Sequence, residues 1–124
     1  MIQKVHEAFI NDSMINSMTN GRIKFYTYPE SGDVTGPYII IDPLITPKPG
    51  DYADNKWLTK EYLYQIEVWS KSKDDTESLA EQIQLVLWNK IGYANTGSGM
   101  DEYDKELGIF RDARRYRGKE YVNQ

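Results

Sequence analysis

The sequence contains no cysteine and only one histidine, His6, among its 124 residues. Without thiols the chain forms no disulfide, carries no thiolate nucleophile and offers no sulfur ligand to a metal ion. A single imidazole also removes most metal sites and acid–base constellations that depend on histidine. We therefore expect no metal, no other cofactor and no enzymatic activity.

Long apolar runs are also missing. None approaches the roughly 20 residues that span a bilayer, and residues 1–4 are not followed by the apolar core of a secretory signal. We expect a soluble protein without a membrane partner. The formal net charge of −4 argues against general affinity for phosphate backbones. Ten tyrosines are present, and tyrosine suits a sheet surface or an assembly interface.

The most informative feature is one change of hydrophobic period between residues 57 and 92. In residues 62–69 the side chains of one face are apolar, which is typical of a half-buried strand. After a polar turn the apolar side chains recur at helical spacing, at Leu79, Ala80, Ile83, Val86, Leu87 and Ile91. Asp74 with Glu77 predicts a capping pair, and Gly92 predicts a left-handed stop. We expect this helix to pack on the apolar face of the strand.

Other elements follow from the same patterns. Residues 2–10 carry apolar side chains at helical spacing, and Asn11 with Asp12 can stop that helix or begin a short second one. Residues 23–28 have the composition of a strand. Residues 37–42 are apolar on both faces, which predicts a central strand limited by Pro43.

The Pro- and Gly-rich residues 44–57 and the Gly-rich residues 92–101 are expected to be long loops, and residues 112–121 a solvent-facing or edge strand. The expected fold is a single α+β domain over residues 1–124 in the order α-β-β-β-α-β. Its mostly antiparallel sheet has about four strands, with two main helices on one face.

Several residue groups resemble chemical sites without the required spacing. The loop carboxylates Asp51 and Asp54, with Glu30 and Asp33, lack the pattern of a calcium loop and are expected to be solvated. Residues 97–99 lack the lysine and the following helix of a phosphate loop, so we expect a hinge.

His6 is expected to be partly buried and hydrogen-bonded, because the sequence identifies no nucleophile that would partner it. The three tryptophans could stack on a base or a sugar. The favoured interpretation is that they pack in the core or at its rim; they are Trp57, Trp69 and Trp88.

One basic cluster departs from the acidic balance, and it lies near the C-terminus. If the segment is extended, Arg111, Arg115, Arg117 and Lys119 share a face, with Tyr116 and Tyr121 interleaved. Three interpretations stay open: docking on an acidic protein partner, protection of an edge strand, and contact with nucleic acid. The candidate interaction residues are Arg111, Arg114, Arg115, Tyr116 and Arg117, together with Pro47, Pro49 and Tyr52 from the first long loop.

The chain resembles the small tail-completion and tail-terminator proteins of long-tailed bacteriophages. The resemblance is carried by a helix, the turn Asn20-Gly21-Arg22-Ile23, the stop Tyr28-Pro29-Glu30 and the strand Gly36-Pro37-Tyr38-Ile39-Ile40-Ile41, then Tyr64-Gln65-Ile66-Glu67-Val68-Trp69-Ser70 and Ser78-Leu79-Ala80-Glu81-Gln82-Ile83. It covers roughly residues 5–87 and includes no catalytic motif.

What the resemblance implies is an α+β subunit of a homo-oligomeric ring, of which a hexamer is one form, at the head–tail junction. Its partners would be tail-tube and head-connector proteins, with incidental contact to DNA in the channel. The protein would be made in the host cytoplasm and located in the tail or neck of the virion. The alternative is a nucleic-acid-binding module that uses the basic C-terminal segment.

Overall fold

The structure, a computed structural model, describes residues 2–26, 36–53 and 56–121. Its helices are α1 (Ile2–Ile10), α2 (Ser13–Thr19) and α3 (Lys73–Ile91). Its strands are β1 (Ile23–Phe25), β2 (Tyr38–Pro43), β3 (Lys48–Ala53), β4 (Lys56–Ser70), β5 (Ala94–Asp104) and β6 (Ile109–Tyr121). The α+β class is confirmed. Within the described ranges no helix has the length and apolarity needed to cross a membrane.

The strands form one mixed sheet in the order β1-β2-β4-β6-β5, and β3 pairs with the first half of β4. The prediction of about four mostly antiparallel strands was wrong in the number of strands, since the described residues already supply six. It also missed one pairing, because β1 runs parallel to β2. A parallel pair requires a crossover connection rather than a tight hairpin, so strand composition alone did not reveal it.

Two predicted loops contain strands. Residues 48–53 pair with residues 56–61 as a hairpin, so β4 begins at Lys56 rather than near Tyr62. Residues 94–104 form β5, with a register shift between Asn95 and Gly99 where the hinge was expected. In both cases hydrogen bonds to a neighbouring strand override a composition typical of loops.

The C-terminal segment is a strand, as predicted, but not an edge strand. β6 lies between β4 and β5 and pairs with both. β2 is central, as predicted, and its three consecutive isoleucines, Ile39, Ile40 and Ile41, are fully buried. The predicted strand at 23–28 is confirmed for residues 23–25, and residues 27 and 28 lie outside the described residues.

The predicted stripe of α3 packs on the sheet. Leu79, Ile83 and Leu87 are buried among the apolar side chains of β2 and β4. The helix cap lies two residues earlier than expected. It is Ser72 and not Asp74, and its side chain accepts a hydrogen bond from the Asp75 backbone N–H at 3.2 Å. 

At the other end of α3, Gly92 adopts the predicted left-handed conformation, with φ of 71°. Its backbone N–H bonds to the carbonyl of Trp88, which closes the last turn of the helix.

α1 and α2 complete the layer on the same side of the sheet. Val5 and Phe9 of α1 and Ile15 of α2 are fully buried in the same core. Asp12 starts the short second helix, because its carboxylate accepts from the Ile15 backbone N–H at 3.0 Å. His6 is partly buried, as predicted, with its ring 5.1 Å from that of Phe25.

Arg22 connects two of the sequence segments that carry the resemblance. Its guanidinium donates to the Pro37 carbonyl at 3.1 Å and to the Met18 carbonyl at 3.2 Å. A Cβ on Gly36 would lie 2.2 Å from that guanidinium. The turn after α2 and the start of β2 are therefore held together by one side chain, which would have to shift if position 36 carried a Cβ.

Candidate protein-interaction surface

β6 presents its side chains alternately to the two faces of the sheet. Tyr116 faces the helices and is 1% exposed. Because neighbouring residues of a strand point to opposite faces, Arg115 and Arg117 lie on the face away from the helices, where both are exposed. The predicted shared face of Arg111, Arg115, Arg117 and Lys119 agrees with this register.

Arg111 is occupied within the chain. Its guanidinium donates to the carboxylate of Glu67, which is fully buried, and to Glu102 at 3.3 Å. Glu67 also accepts from the Gln65 amide at 2.8 Å and from the Trp69 indole N–H at 3.0 Å. This arrangement satisfies a buried charge, so Arg111 serves the stability of the sheet.

Arg114 points to the opposite face, toward α3. It donates to Asp112 at 3.0 Å, to Gln84 at 2.9 Å and to Glu81 at 3.1 Å. Gln84 in turn accepts from the Asn95 amide at 3.0 Å. Arg114 thus fastens α3 to the two C-terminal strands.

The pKa values in this network show competing effects. Burial raises the pKa of Asp112, and the Arg114 guanidinium offsets only part of that rise. For Arg114 itself burial acts to lower the pKa, but the hydrogen bonds to Asp112 and Glu81 and the charge of Asp112 outweigh burial and raise it. Asp112 and Arg114 therefore form an ion pair, and removing their charges from water opposes its formation.

Tyr116 belongs to a buried aromatic group. Burial raises its pKa to about 12. The nearby rings of Tyr64 and Tyr93 lie 6.1 Å apart and nearly parallel, and burial raises the pKa of each phenol. Tyr116 was expected among the interaction residues, but its side chain is enclosed in the core and presents no surface to a partner.

The end of β6 is tied to β3 through a second charged contact. Asp51 accepts from the buried Thr59 hydroxyl at 2.7 Å and from Lys119 at 2.8 Å. The Lys119 ammonium and the Thr59 hydroxyl lower the pKa of the Asp51 carboxyl. Asp51 therefore links β3, β4 and β6 and is not an isolated loop carboxylate. Its possible acidic partner Asp54 lies outside the described residues.

Cross-strand register places exposed aromatic side chains on the same face of the sheet, beyond Lys119, at the end of β6 and the start of β4. Tyr52 of β3 lies opposite Trp57 of β4, and Thr59 lies opposite Tyr121 of β6. Tyr52 is 67% exposed, Trp57 39% and Tyr121 85%. We call this surface the aromatic–basic face; its members are Tyr52, Trp57, Tyr121, Arg115, Arg117 and Lys119.

The other predicted interaction residues do not join this face, since Pro49 pairs with Lys60, whose place in the alternation of β4 is on the helix side. Pro47 precedes β3 and Pro49 lies within it, both exposed. Trp57 and Tyr121 were not among the predicted contacts. The sequence signal that could have found Tyr121 was its place in the same alternation as Arg117 and Lys119.

The other candidate residues named from the sequence do not come together in a common site. In the described part of the chain no group of three or more His, Cys, Asp or Glu side chains is placed to hold a metal ion. Glu30, Asp33 and Asp54 lie outside the described residues. Trp69 packs at the rim of the sheet, with the Arg111 guanidinium carbon 5.8 Å from the centre of its ring. Trp88 on α3 is 62% exposed, contrary to the expected packing.

Comparison with known proteins shows a likeness of fold. No protein-family model matches the sequence, and no curated protein is similar to it. Among solved structures, a chain of the virion of a native gene transfer agent particle superposes with a TM-score of 0.72 at 11% identity. The match covers 97% of this chain and 93% of that chain. At this identity the likeness shows a shared fold, which extends over nearly the whole of both chains.

Proposed function

We propose that the protein is a non-enzymatic structural subunit of a virion. More narrowly, it is a tail-completion or tail-terminator protein that forms an oligomeric ring at the head–tail junction. The observation that carries the proposal is the fold shared, almost end to end, with a chain of a gene transfer agent virion. The resemblance of residues 5–87 to phage tail-completion proteins supports the same class from the sequence.

The surface chemistry supports an assembly role. The aromatic–basic face combines tyrosine, tryptophan and arginine, the residue types that contribute most to protein–protein binding energy. It is built on paired strands, which position these side chains more rigidly than a loop would. A surface of this kind recognises another protein and needs no reactive group.

The proposed location is the tail or neck of the particle, with assembly in the host cytoplasm. The proposed partners are further copies of the chain, tail-tube subunits and head-connector subunits. A closed ring follows when each copy uses two different surfaces to contact its two neighbours and the rotation between copies closes.

Sedimentation velocity tests the proposal directly. The purified protein is measured alone and after mixing with the tail-tube and connector proteins of its own particle, and any assembled species is imaged by negative-stain electron microscopy. A ring, or a complex with either partner, is the expected result. A monomer that binds neither partner would contradict the proposed function.

A second candidate is binding of nucleic acid through the aromatic–basic face. Arg115 and Arg117 favour it, since both are exposed and neither forms an ion pair among the residues that the structure describes. It ranks second because Arg111, Arg114 and Lys119 are already paired with carboxylates. Two remaining cations neutralise few phosphates.

Electrophoretic mobility with double-stranded DNA at low and moderate salt tests the second candidate. Binding that weakens steeply with salt and disappears in Arg115→Glu/Arg117→Glu would support it. Absence of a shift at low salt would exclude it.

A further inference from the structure

The β5–β6 hairpin carries the opposite charge to the aromatic–basic face. Between residues 101 and 106 there are four acidic side chains and one basic side chain. The four carboxylates, all exposed, belong to Asp101, Glu102, Asp104 and Glu106. We call residues 100–107 the acidic hairpin.

Apolar side chains accompany these carboxylates. Met100 is 46% exposed, Tyr103 50% and Leu107 44%. Exposed apolar groups framed by charge are typical of a surface that another protein covers. The hairpin therefore has both the charge and the anchors that would complement a face of tyrosine, tryptophan and arginine.

Within one copy the two surfaces cannot neutralise each other. Glu102 pairs with Arg111, and the two arginines of the face, Arg115 and Arg117, lie four and six residues farther along β6. At the rise of a strand these separations are about 13 and 20 Å, both longer than the Debye length of about 8 Å at physiological salt. Only another molecule can bring an acidic hairpin onto the aromatic–basic face.

The acidic side chains surround the hairpin rather than lying on one side of it. Glu102 shares the face of Arg111, whereas Asp101 lies opposite Asp112 on the helix side. A hairpin charged on both sides fits a contact in which it projects onto a neighbour. A flat pairing of two identical sheet faces would leave the carboxylates of the helix side without partners.

We propose that the acidic hairpin of one copy docks on the aromatic–basic face of the next copy. The contact joins two different surfaces, so it repeats head to tail and builds a closed ring or an open filament. This inference rests on the proposed function, for which it names the surfaces that join neighbouring subunits.

Complementary charge reversals test the contact. The first variant is Arg115→Glu/Arg117→Glu, and the second is Asp101→Lys/Glu106→Lys. Neither includes Asp104, which caps its own turn by accepting from the backbone N–H groups of Glu106 and Leu107. Lys24→Glu/Lys71→Glu is the matched control, since both lysines are exposed and the change in net charge equals that of the first variant.

Self-association of the native chain is expected to weaken as sodium chloride rises from about 0.05 to 0.5 M, because salt screens the contact. Each reversal variant alone should raise the dissociation constant by about tenfold or more at low salt. The control should associate as the native chain does. Circular dichroism and urea unfolding check that each variant is folded.

The decisive measurement is a mixture of the two reversal variants. A lysine hairpin then meets a glutamate face, and the native acidic hairpin of the first variant meets the native basic face of the second. Assembly that is absent from either variant and returns in the equimolar mixture supports the proposal.

Other outcomes overturn it. If native rings form and both reversals leave them intact, or if mixing restores nothing, the contact is wrong while the proposed function survives. If the native chain stays monomeric but binds tail-tube or connector subunits, the face serves a different protein. If the reversals change only binding to DNA, the face is a nucleic-acid site. A monomer without any partner contradicts contact and function together.

Discussion

The carboxylate of Glu67 is fully buried and accepts a hydrogen bond from the Arg111 guanidinium on the adjacent strand. Both residues lie on the sheet face opposite the helices, where alternation along a half-buried strand ordinarily leaves a glutamate exposed to solvent. A buried charge is tolerated only when partners replace its hydration, and Gln65 and Trp69 complete that set.

Removing one member of this pair should cost more than removing both. Arg111→Met leaves the Glu67 carboxylate buried without its cation, and we expect the free energy of unfolding to fall by about 3 kcal/mol. In Arg111→Met/Glu67→Met the loss should be smaller, because no uncompensated charge remains. Urea unfolding of the two single variants and the double variant measures the coupling; additive losses would contradict it.

Gly118 is needed for the packing of Tyr93. A Cβ at position 118 would lie 2.2 Å from the Tyr93 ring, which is itself 1% exposed and cannot swing aside. Gly118→Ala should lower the free energy of unfolding by about 2 kcal/mol through overpacking. Tyr93→Leu in the same chain should recover part of that loss. An alanine variant as stable as the native protein would show that the ring is free to move.

The buried phenols predict a steep loss of stability in alkali. The pKa values of Tyr64, Tyr93 and Tyr116 are raised by burial above the ordinary 10.0. A phenol whose pKa is higher in the folded than in the unfolded chain contributes stability that is lost as pH rises above the unfolded value. From pH 10 toward 12 each such group should remove about 1.4 kcal/mol per pH unit.

Chemical unfolding at several alkaline pH values gives this slope. Tyr93→Phe supplies the control, because it removes one titrating group and should reduce the slope by that one proton. The variant also loses the hydrogen bond from the phenol to Glu120, so its stability at neutral pH is measured separately. A slope unchanged by the substitution would contradict the assignment to Tyr93.

Two neighbouring arginines should have separable effects. Arg114→Ala leaves Asp112 buried beside Glu81 without a cation, and we expect a loss of about 2 kcal/mol in unfolding free energy with little change in self-association. Arg117→Ala should stay within about 0.5 kcal/mol of the native stability while it weakens association. Urea unfolding and sedimentation velocity on the same preparations distinguish the two; a reversed pattern would contradict the assignment of faces.

The sequence predicted α3 and β4 well because the hydrophobic pattern of each element is regular over many residues. The helical stripe from Leu79 to Leu87 and the alternation from Tyr62 to Val68 each extend over several residues, and both are buried where expected. The alternation along β6 also predicts that Arg115 and Arg117 share a face from which Arg114 is absent, and the register agrees. The same parity does not show which of the two faces is buried, so it did not predict that Tyr116 is enclosed in the core.

What could not be predicted depends on partners distant in the chain. β3 contains Pro49 and Gly50, and β5 contains Gly97 and Gly99, so each has the composition of a loop. Each becomes a strand because a neighbouring strand supplies its hydrogen bonds. The buried state of Glu67 has the same origin, since it requires Arg111 from 44 residues away.

β3 also limits how the protein can associate. Pro49 lacks a backbone N–H, and Asp51 has a φ of 53°, so the outer side of this strand does not offer an unbroken ladder of donors and acceptors. Another chain cannot simply add itself there as an extra strand. Aggregation by backbone pairing is therefore disfavoured along β3, where an exposed side chain such as Tyr52 would make the contact instead.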